Sequence, residues 1–254
     1  MKLKKYVLVF IPLLIILSAV IVFLDVSWWW LFLFCLLSSV PLIAGAIYIQ
    51  QNFFVESINS LHDSTLPHKK DTDIVLTFDD GIHPIHTPKV LDILQAHGVK
   101  AMFFIIGKNI HQHAAILKRI ADEGHTIGNH SFTHGIWFDM KSISDMAAEL
   151  NQMNEAVVDI LGKEYTPVYF RPPYGVTNPN LANAIKRTGM TSVGWNLRSM
   201  DTVVKSKMLL LDKLKKMTRK GSIVLLHDRC AITVDTLTDY IVFCKQQGFT
   251  FTTL

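Results

Sequence analysis

From Asp73 onward, short runs of β-branched and aromatic residues alternate with longer stretches of helical periodicity, and nothing else in the chain narrows its possible folds so sharply. Seven strands are expected, at 73–78, 101–106, 126–128, 168–170, 191–195, 222–226 and 249–253. Helices are expected between them, at 87–97, 109–123, 142–161, 178–187, 206–220 and 233–247. Their ends are punctuated accordingly: Pro88 lies in a first turn, Gly98, Gly124 and Gly162 follow last turns, and Asn109 stands where a cap is needed. Met146, Leu150, Met153, Val157 and Ile160 give the third helix one apolar stripe. Such alternation builds a parallel sheet with crossover helices. The expected fold is α/β, a distorted and incomplete (β/α) barrel with about seven parallel strands. A doubly wound open sheet is the alternative. No Gly-x-Gly-x-x-Gly and no phosphate-binding loop follows the first strand, which argues against nucleotide binding.

The first fifty residues are of another kind. Lys2, Lys4 and Lys5 precede an apolar run over 6–24; Asp25, Val26 and Ser27 interrupt it; a second run covers 28–49, headed by Trp28, Trp29 and Trp30. Each run has roughly the 20 residues that cross a bilayer core, and tryptophans suit the membrane–water interface. A cleaved signal peptide has a shorter apolar core and a small-residue cleavage site. Neither run has a polar face, which argues against a buried core hairpin. A pair of transmembrane helices over residues 1–50 is therefore expected, with Ser38, Ser39 and Pro41 placed to break the second. Residues 51–68 read as a connector, and the globular domain as 69–254. The composition, 50% hydrophobic and 18% charged, owes its apolar excess to this N-terminus. A net charge of +4 is too mild to argue for nucleic acid, and Lys213, Lys215, Lys216, Arg219 and Lys220 have the spacing of a solvated helix face. Cys35, Cys230 and Cys244 are too scattered for a disulfide framework or a cysteine metal motif. The chain is expected to be anchored in a plasma or inner membrane. Its lysines favour a cytoplasmic N-terminus, and two crossings would return the domain to the cytoplasm. No Lys or Arg in 50–68 holds that end inside, so the side stays open.

Chemistry-bearing residues collect where strands end. Asp79 and Asp80 close the first strand and precede Gly81, a residue that permits an immediate turn. Neighbours on an extended segment point to different tasks, so one carboxylate can bind a metal while the other moves a proton. His130 and His134 follow the third strand; with a carboxylate from another strand end they make the three-ligand set of a catalytic zinc. Nitrogen and oxygen donors also admit other divalent ions. Arg171 follows the fourth strand, in a turn stiffened by Pro172 and Pro173, where it can hold a carboxylate ionised. His227 follows the sixth strand and can donate a proton, and Asp201 can hydrogen-bond it. His83 and His86 are placed to line the cleft; His97, His111, His113 and His125 read as surface or packing residues.

Together these stretches resemble the polysaccharide deacetylase family, the chitin and peptidoglycan N-acetylglucosamine deacetylases of carbohydrate esterase family four. The likeness runs from about Asp71 to the C-terminus. It rests on Thr77-Phe78-Asp79-Asp80-Gly81, His130-Ser131-Phe132-Thr133-His134, Arg171-Pro172-Pro173-Tyr174-Gly175 and Leu225-Leu226-His227-Asp228. The resemblance implies one divalent metal, zinc preferred, on Asp80, His130 and His134. It implies Asp79 as general base, Arg171 as the residue that tunes it, and the Tyr174 backbone N–H as an oxyanion donor. It implies His227 as general acid, with Asp201 as its partner. The implied reaction removes N-acetyl groups from N-acetylglucosamine-type sugars by attack of a metal-activated water. The expected partners are an N-acetylated glycan and a membrane, with no nucleic acid and no obligate protein partner. For such a substrate the family favours an extracytoplasmic site. The chain departs from the family pattern at Arg198, where an Asp is usual, at Thr202, where a Trp is usual, and at Ile82, where a Pro is common. The alternatives are another acyl group (O-acetyl or formyl, on a lipid-linked sugar for instance), a glycan-binding protein that has lost catalysis, or a structural membrane protein.

Overall fold

The computed structural model describes residues 2–67 and 69–254; Met1 and His68, the outer ends of the expected anchor and connector, lie outside the described residues. Two apolar helices come first, α1 (Lys2–Phe23) and α2 (Trp29–Ile47). The remainder runs β1 (Ser57–Ile58), β2 (Asp73–Gly81), α3 (His86–Ala96), β3 (Met102–Ile105), α4 (Ala114–Asp122), β4 (Thr126–Asn129), α5 (Ile143–Leu161) and β5 (Tyr169–Phe170). It continues α6 (Pro179–Thr188), β6 (Thr191–Val193), β7 (Leu197–Arg198), α7 (Lys207–Met217), β8 (Ile223–His227), α8 (Ala231–Gln246) and β9 (Thr250–Phe251). The strands form one parallel sheet in the order β1-β6-β5-β4-β3-β2-β8-β7, with β9 beside the start of β2. The sheet curls into the expected distorted (β/α) barrel, left open between β1 and β7. The Leu61 N–H and the Ser60 hydroxyl both reach the Gly221 carbonyl at the start of β8, so the chain after β1 crosses the gap.

The period of two along β2 divides the core. Ile74, Leu76 and Phe78 face the helices and pack with Val90, Leu94, Leu237 and Ile241. Val75 faces the barrel interior with Met102, Phe104, Trp195 and Leu225. Three helices start where expected and are capped there: the side chains of Ser142, Asn178 and Ser206 accept from the N–H groups of Asp145, Leu181 and Leu209.

Three expectations need correction. Residues 51–68 are more than a connector: Ser57 and Ile58 pair with Ser192 and Val193, and Phe53, Phe54, Val55, Ile58 and Leu61 are buried. Asn109 caps no long helix. The Gly107 and Lys108 N–H groups are drawn to the Ser131 and Phe132 carbonyls, the Asn109 amide reaches the Gly81 carbonyl, and two 3-10 turns precede α4. Finally, α2 runs unbroken through Pro41, and the nearby Ser38 carbonyl takes the Tyr6 hydroxyl of α1.

The two helices stack Phe10 on Phe34 at 5.5 Å and have mean hydropathies of 3.0 and 2.2, long and apolar enough to cross a membrane. Both free ends dock on the domain. Leu3, Tyr6, Leu42 and Ala46 pack against a cluster of Phe53, Phe138, Leu150, Phe170 and Leu181. The Thr177 N–H donates to the Ala46 carbonyl at 2.9 Å and its hydroxyl to the Gly45 carbonyl at 3.0 Å.

Candidate active site

Parallel register brings the strand ends level. Asp79 lies opposite His227 across β2 and β8; Gly81 lies opposite Ile105, Ile105 opposite Asn129, and Asn129 opposite Phe170. His130 and Arg171 each stand one residue beyond that line, at the C-terminal rim where such barrels keep their chemistry.

Asp79 continues the inward-facing set of β2, and inside the barrel it meets Arg171. The guanidinium is fully buried and each of its nitrogens is used: Nη1 donates to Asp79 Oδ1 and Thr77 Oγ1, both at 2.7 Å, Nη2 to the Gly194 carbonyl at 2.7 Å, and Nε to the Val193 carbonyl at 3.1 Å. Its Cζ lies 4.1 Å from the Phe104 ring centre. A buried cation is tolerated only when paired and hydrogen-bonded in this way.

Asp80 leaves the strand direction with φ of 71°, and Ser131, His134 and Tyr174 share the left-handed region at 63°, 51° and 58°. Non-glycine residues held there are uncommon and gather at functional sites. Here the strain turns Asp80, His130 and His134 together. Asp80 Oδ1 is 3.5 Å from His130 Nε2 and 3.3 Å from His134 Nε2, and one ligand atom from each lies within 4.8 Å of the others. Tetrahedral bonds of 2.0–2.1 Å set ligand atoms roughly 3.3–3.4 Å apart, so the three residues fit a divalent ion. The His130 Nδ1 hydrogen bond to the Arg171 carbonyl, 2.7 Å, turns Nε2 toward that position. Burial works against the Asp80 charge, but His130 and the Arg229 guanidinium, 2.7 Å from Oδ2, hold its carboxyl well below the usual carboxylate range. Burial, with the neighbouring His130, lowers His134 to about 4, the neutral form that a ligand needs.

Across the cleft, Asp201 grips His227 at both ends: Oδ1 is 2.8 Å from Nδ1, and Oδ2 takes the His227 N–H at 2.7 Å and the Thr233 hydroxyl at 2.6 Å. Burial opposes protonation of His227, yet Asp201 and the charges of Asp79 and Asp80 raise it above the ordinary imidazole range. The cleft holds about 600 Å³ and is also lined by Lys108, Tyr174, Trp195, Arg198 and Thr202. The structure thus brings all eight of the expected site residues to one place. His83 lines the cleft; His86 stacks on it at 4.3 Å.

Several contributors were not foreseen. Buried Glu149 on α5 accepts from the Phe132 and Thr133 N–H groups at 3.0 and 2.8 Å and from the Thr133 hydroxyl, and so shapes the His130–His134 turn. Its signal was an acidic residue three places after Met146, on a helix's apolar stripe. Asn129 supports the same turn by accepting from the Ser131 N–H at 2.8 Å. Arg229, outside the quoted motifs, is the second arginine of the aspartate pair. Asp228 is fully buried, takes the Thr87 hydroxyl at 2.5 Å, and is pushed up to about 7, chiefly by burial. It also explains Gly81: a Cβ there would lie 2.7 Å from Asp228 Oδ2, so the glycine supplies space more than a turn.

A family model described as polysaccharide deacetylase matches residues 67–193. The peptidoglycan-N-acetylmuramic acid deacetylase PdaA of Bacillus subtilis is 36% identical over 205 residues, covering 80% of this chain and 76% of that one. Among solved structures, the peptidoglycan N-acetylglucosamine deacetylase Bc1960 superposes with a TM-score of 0.69 at 30% identity, over 78% of this chain and 90% of that chain. BA3943 of Bacillus anthracis, a pseudoenzyme of carbohydrate esterase family four, superposes at 0.66 with 25% identity, over 72% of this chain and 64% of that chain. This chain belongs to the polysaccharide deacetylase family. It is a hydrolase of the deacetylase class, whose relatives act on peptidoglycan and chitooligosaccharides.

Proposed function

We propose that the protein removes N-acetyl groups from an N-acetylglucosamine-type sugar of a membrane-proximal glycan, with α1 and α2 as its bilayer anchor. The observation that carries this reading is the division of labour around Asp80, His130 and His134: an arginine-held carboxylate on one side and an aspartate-held histidine on the other. These three residues would hold a divalent ion, and their two nitrogens and one oxygen suit zinc. Such an ion, when bound, supplies Lewis acidity toward a carbonyl and makes water a better nucleophile.

The chain's own groups do the rest. Asp79 gives one oxygen to Arg171, and its Oδ2, 3.9 Å from His130 Nε2, takes the proton of the attacking water. The Tyr174 N–H donates to the oxyanion; the adjacent Gly175 and Val176 N–H groups are already taken by the Pro172 and Pro173 carbonyls. An amide nitrogen leaves badly as an anion. His227, its Nδ1 fixed by Asp201, keeps Nε2 for that nitrogen, and Asp201 favours its charged form. Lys108, Arg198 and Arg229 line the same cleft and favour a sugar that carries a negative charge, as muramic acid does.

Acetate release from N-acetylglucosamine oligomers by the full-length protein, with and without added zinc, tests the reading beside Asp79→Asn. Zinc-dependent release that Asp79→Asn lowers by about 10³-fold or more is expected. A folded, metal-loaded protein that releases no acetate from this or an N-acetylmuramyl substrate would overturn it.

A further inference from the structure

The free end of the helical hairpin meets the domain at the catalytic rim. Thr177, whose N–H and hydroxyl bind the Ala46 and Gly45 carbonyls, comes three residues after Tyr174. The next residue, Asn178, donates to the Asp139 carbonyl at 2.6 Å. Asp139 belongs to the loop that follows His134. That loop buries Phe138 in the same cluster that seats Leu3, Tyr6, Leu42 and Ala46 of the hairpin. On either side of Phe138, Ile136, Trp137 and Met140 are 70%, 71% and 73% exposed. Tyr48, at the end of α2, and Tyr174, at the cleft mouth, are each 56% exposed.

Scattered exposed apolar residues are ordinary in a soluble protein. Three within five positions, around a residue buried against two apolar spans, are a patch. The patch continues the apolar surface of the hairpin, and its composition, with tryptophan and flanking tyrosines, is that of the bilayer interface. We propose that Ile136, Trp137 and Met140 rest in the lipid headgroup region beside the hairpin, so that the cleft opens at the membrane surface and serves a glycan carried on a membrane lipid. This rests on the deacetylase and anchor reading above and adds the surface and the form of the substrate. Oligosaccharide held by a lipid at the bilayer would reach His134 and Tyr174 without leaving the interface, whereas a free oligosaccharide gains nothing from the loop.

The test uses the full chain reconstituted in phosphatidylcholine vesicles that carry a nitroxide at a shallow acyl position. With Trp28, Trp29 and Trp30 replaced by Phe, tryptophan emission comes from Trp137 and from Trp195, which is buried in the barrel. The nitroxide is expected to quench this emission about twofold, and added Trp137→Phe to remove that quenching. Equal quenching with and without Trp137, or none, overturns the contact. In vesicles without nitroxide, Ile136→Ser, Trp137→Ser and Met140→Ser together are expected to slow deacetylation of a lipid-linked N-acetylated sugar about tenfold while leaving the same sugar in soluble form unaffected. Equal effects on both sugars overturn the substrate form. Failure of the protein to float with the vesicles would sink the anchor and this contact together. Quenching without acetate release from either sugar would sink the deacetylase reading and leave the contact standing.

Discussion

Asp79 and Asp80 are neighbours, each held by an arginine at 2.7 Å, yet the two pairs live in different worlds. Arg171 is sealed inside the barrel with four hydrogen bonds. Arg229 stands at the rim with half its side chain in water. The chemistry of the two contacts is the same, and burial decides what each does. The inner pair has one geometry and cannot be rebuilt from solvent. The outer pair is screened and can exchange its arginine for an ion or a substrate group.

The sharpest way to break this comparison is Arg171→Ala, which strands Asp79 and leaves Thr77 and two carbonyls without their donor. A loss of about 3–5 kcal/mol in unfolding free energy is expected from denaturant titration, and Arg171→Lys should recover little of it, because an ammonium lacks the planar fork. A stability change as small as that of the Arg229 variant would erase the distinction. Next comes Asp201→Asn, which probes the other inner pair. With His227 as the proposed acid, activity falls as pH rises through its pKa. Asp201 raises that pKa, and its removal should move the alkaline limb of the kcat profile to lower pH and cut the maximal rate by about 10²-fold. A lower rate with an unmoved limb would make Asp201 a packing residue only.

Gly81→Ala tests how tightly the inner wall is built beneath the rim. Its Cβ would meet buried Asp228, and about 1–3 kcal/mol of destabilisation is expected in thermal or denaturant unfolding. Arg229→Ala should have the smallest effect, below about 1 kcal/mol in stability. Zinc titration should show affinity unchanged or modestly tighter, since the guanidinium and an ion compete for the Asp80 charge. A large loss of affinity would mean that Arg229 orients the ligand and does not compete for it.

Local signals and long-range ones were unequally legible. The strand–helix alternation, the helix starts at Ser142, Asn178 and Ser206, and the carboxylates and histidines at strand ends all write themselves in a few consecutive residues. They yielded the barrel and the residues that meet in the cleft. β1 did not, because two residues make no period; what makes Ser57 and Ile58 a strand is β6, more than 130 positions away. Asn109 looked like a cap because its competitors, the Ser131 and Phe132 carbonyls, come from another loop. Glu149 and Arg229 escaped for a related reason. A charge on a helix or after a motif reads as solvated until the backbone that needs it is in view.

The hydrogen bonds from Thr177 to Gly45 and Ala46 bear on how this protein can be handled. A tether can be cut away without consequence for what it tethers. This hairpin is built in as a wall: its last turn satisfies the segment just beyond Tyr174, and Phe53, which follows it, closes the cluster that seats Phe138 and Phe170. Trimming the chain of its hairpin would uncap two polar groups beside the cleft and bare an aromatic face to water. The shortened protein would need a substitute there, a redesigned surface or a detergent, before its turnover said anything about the intact one.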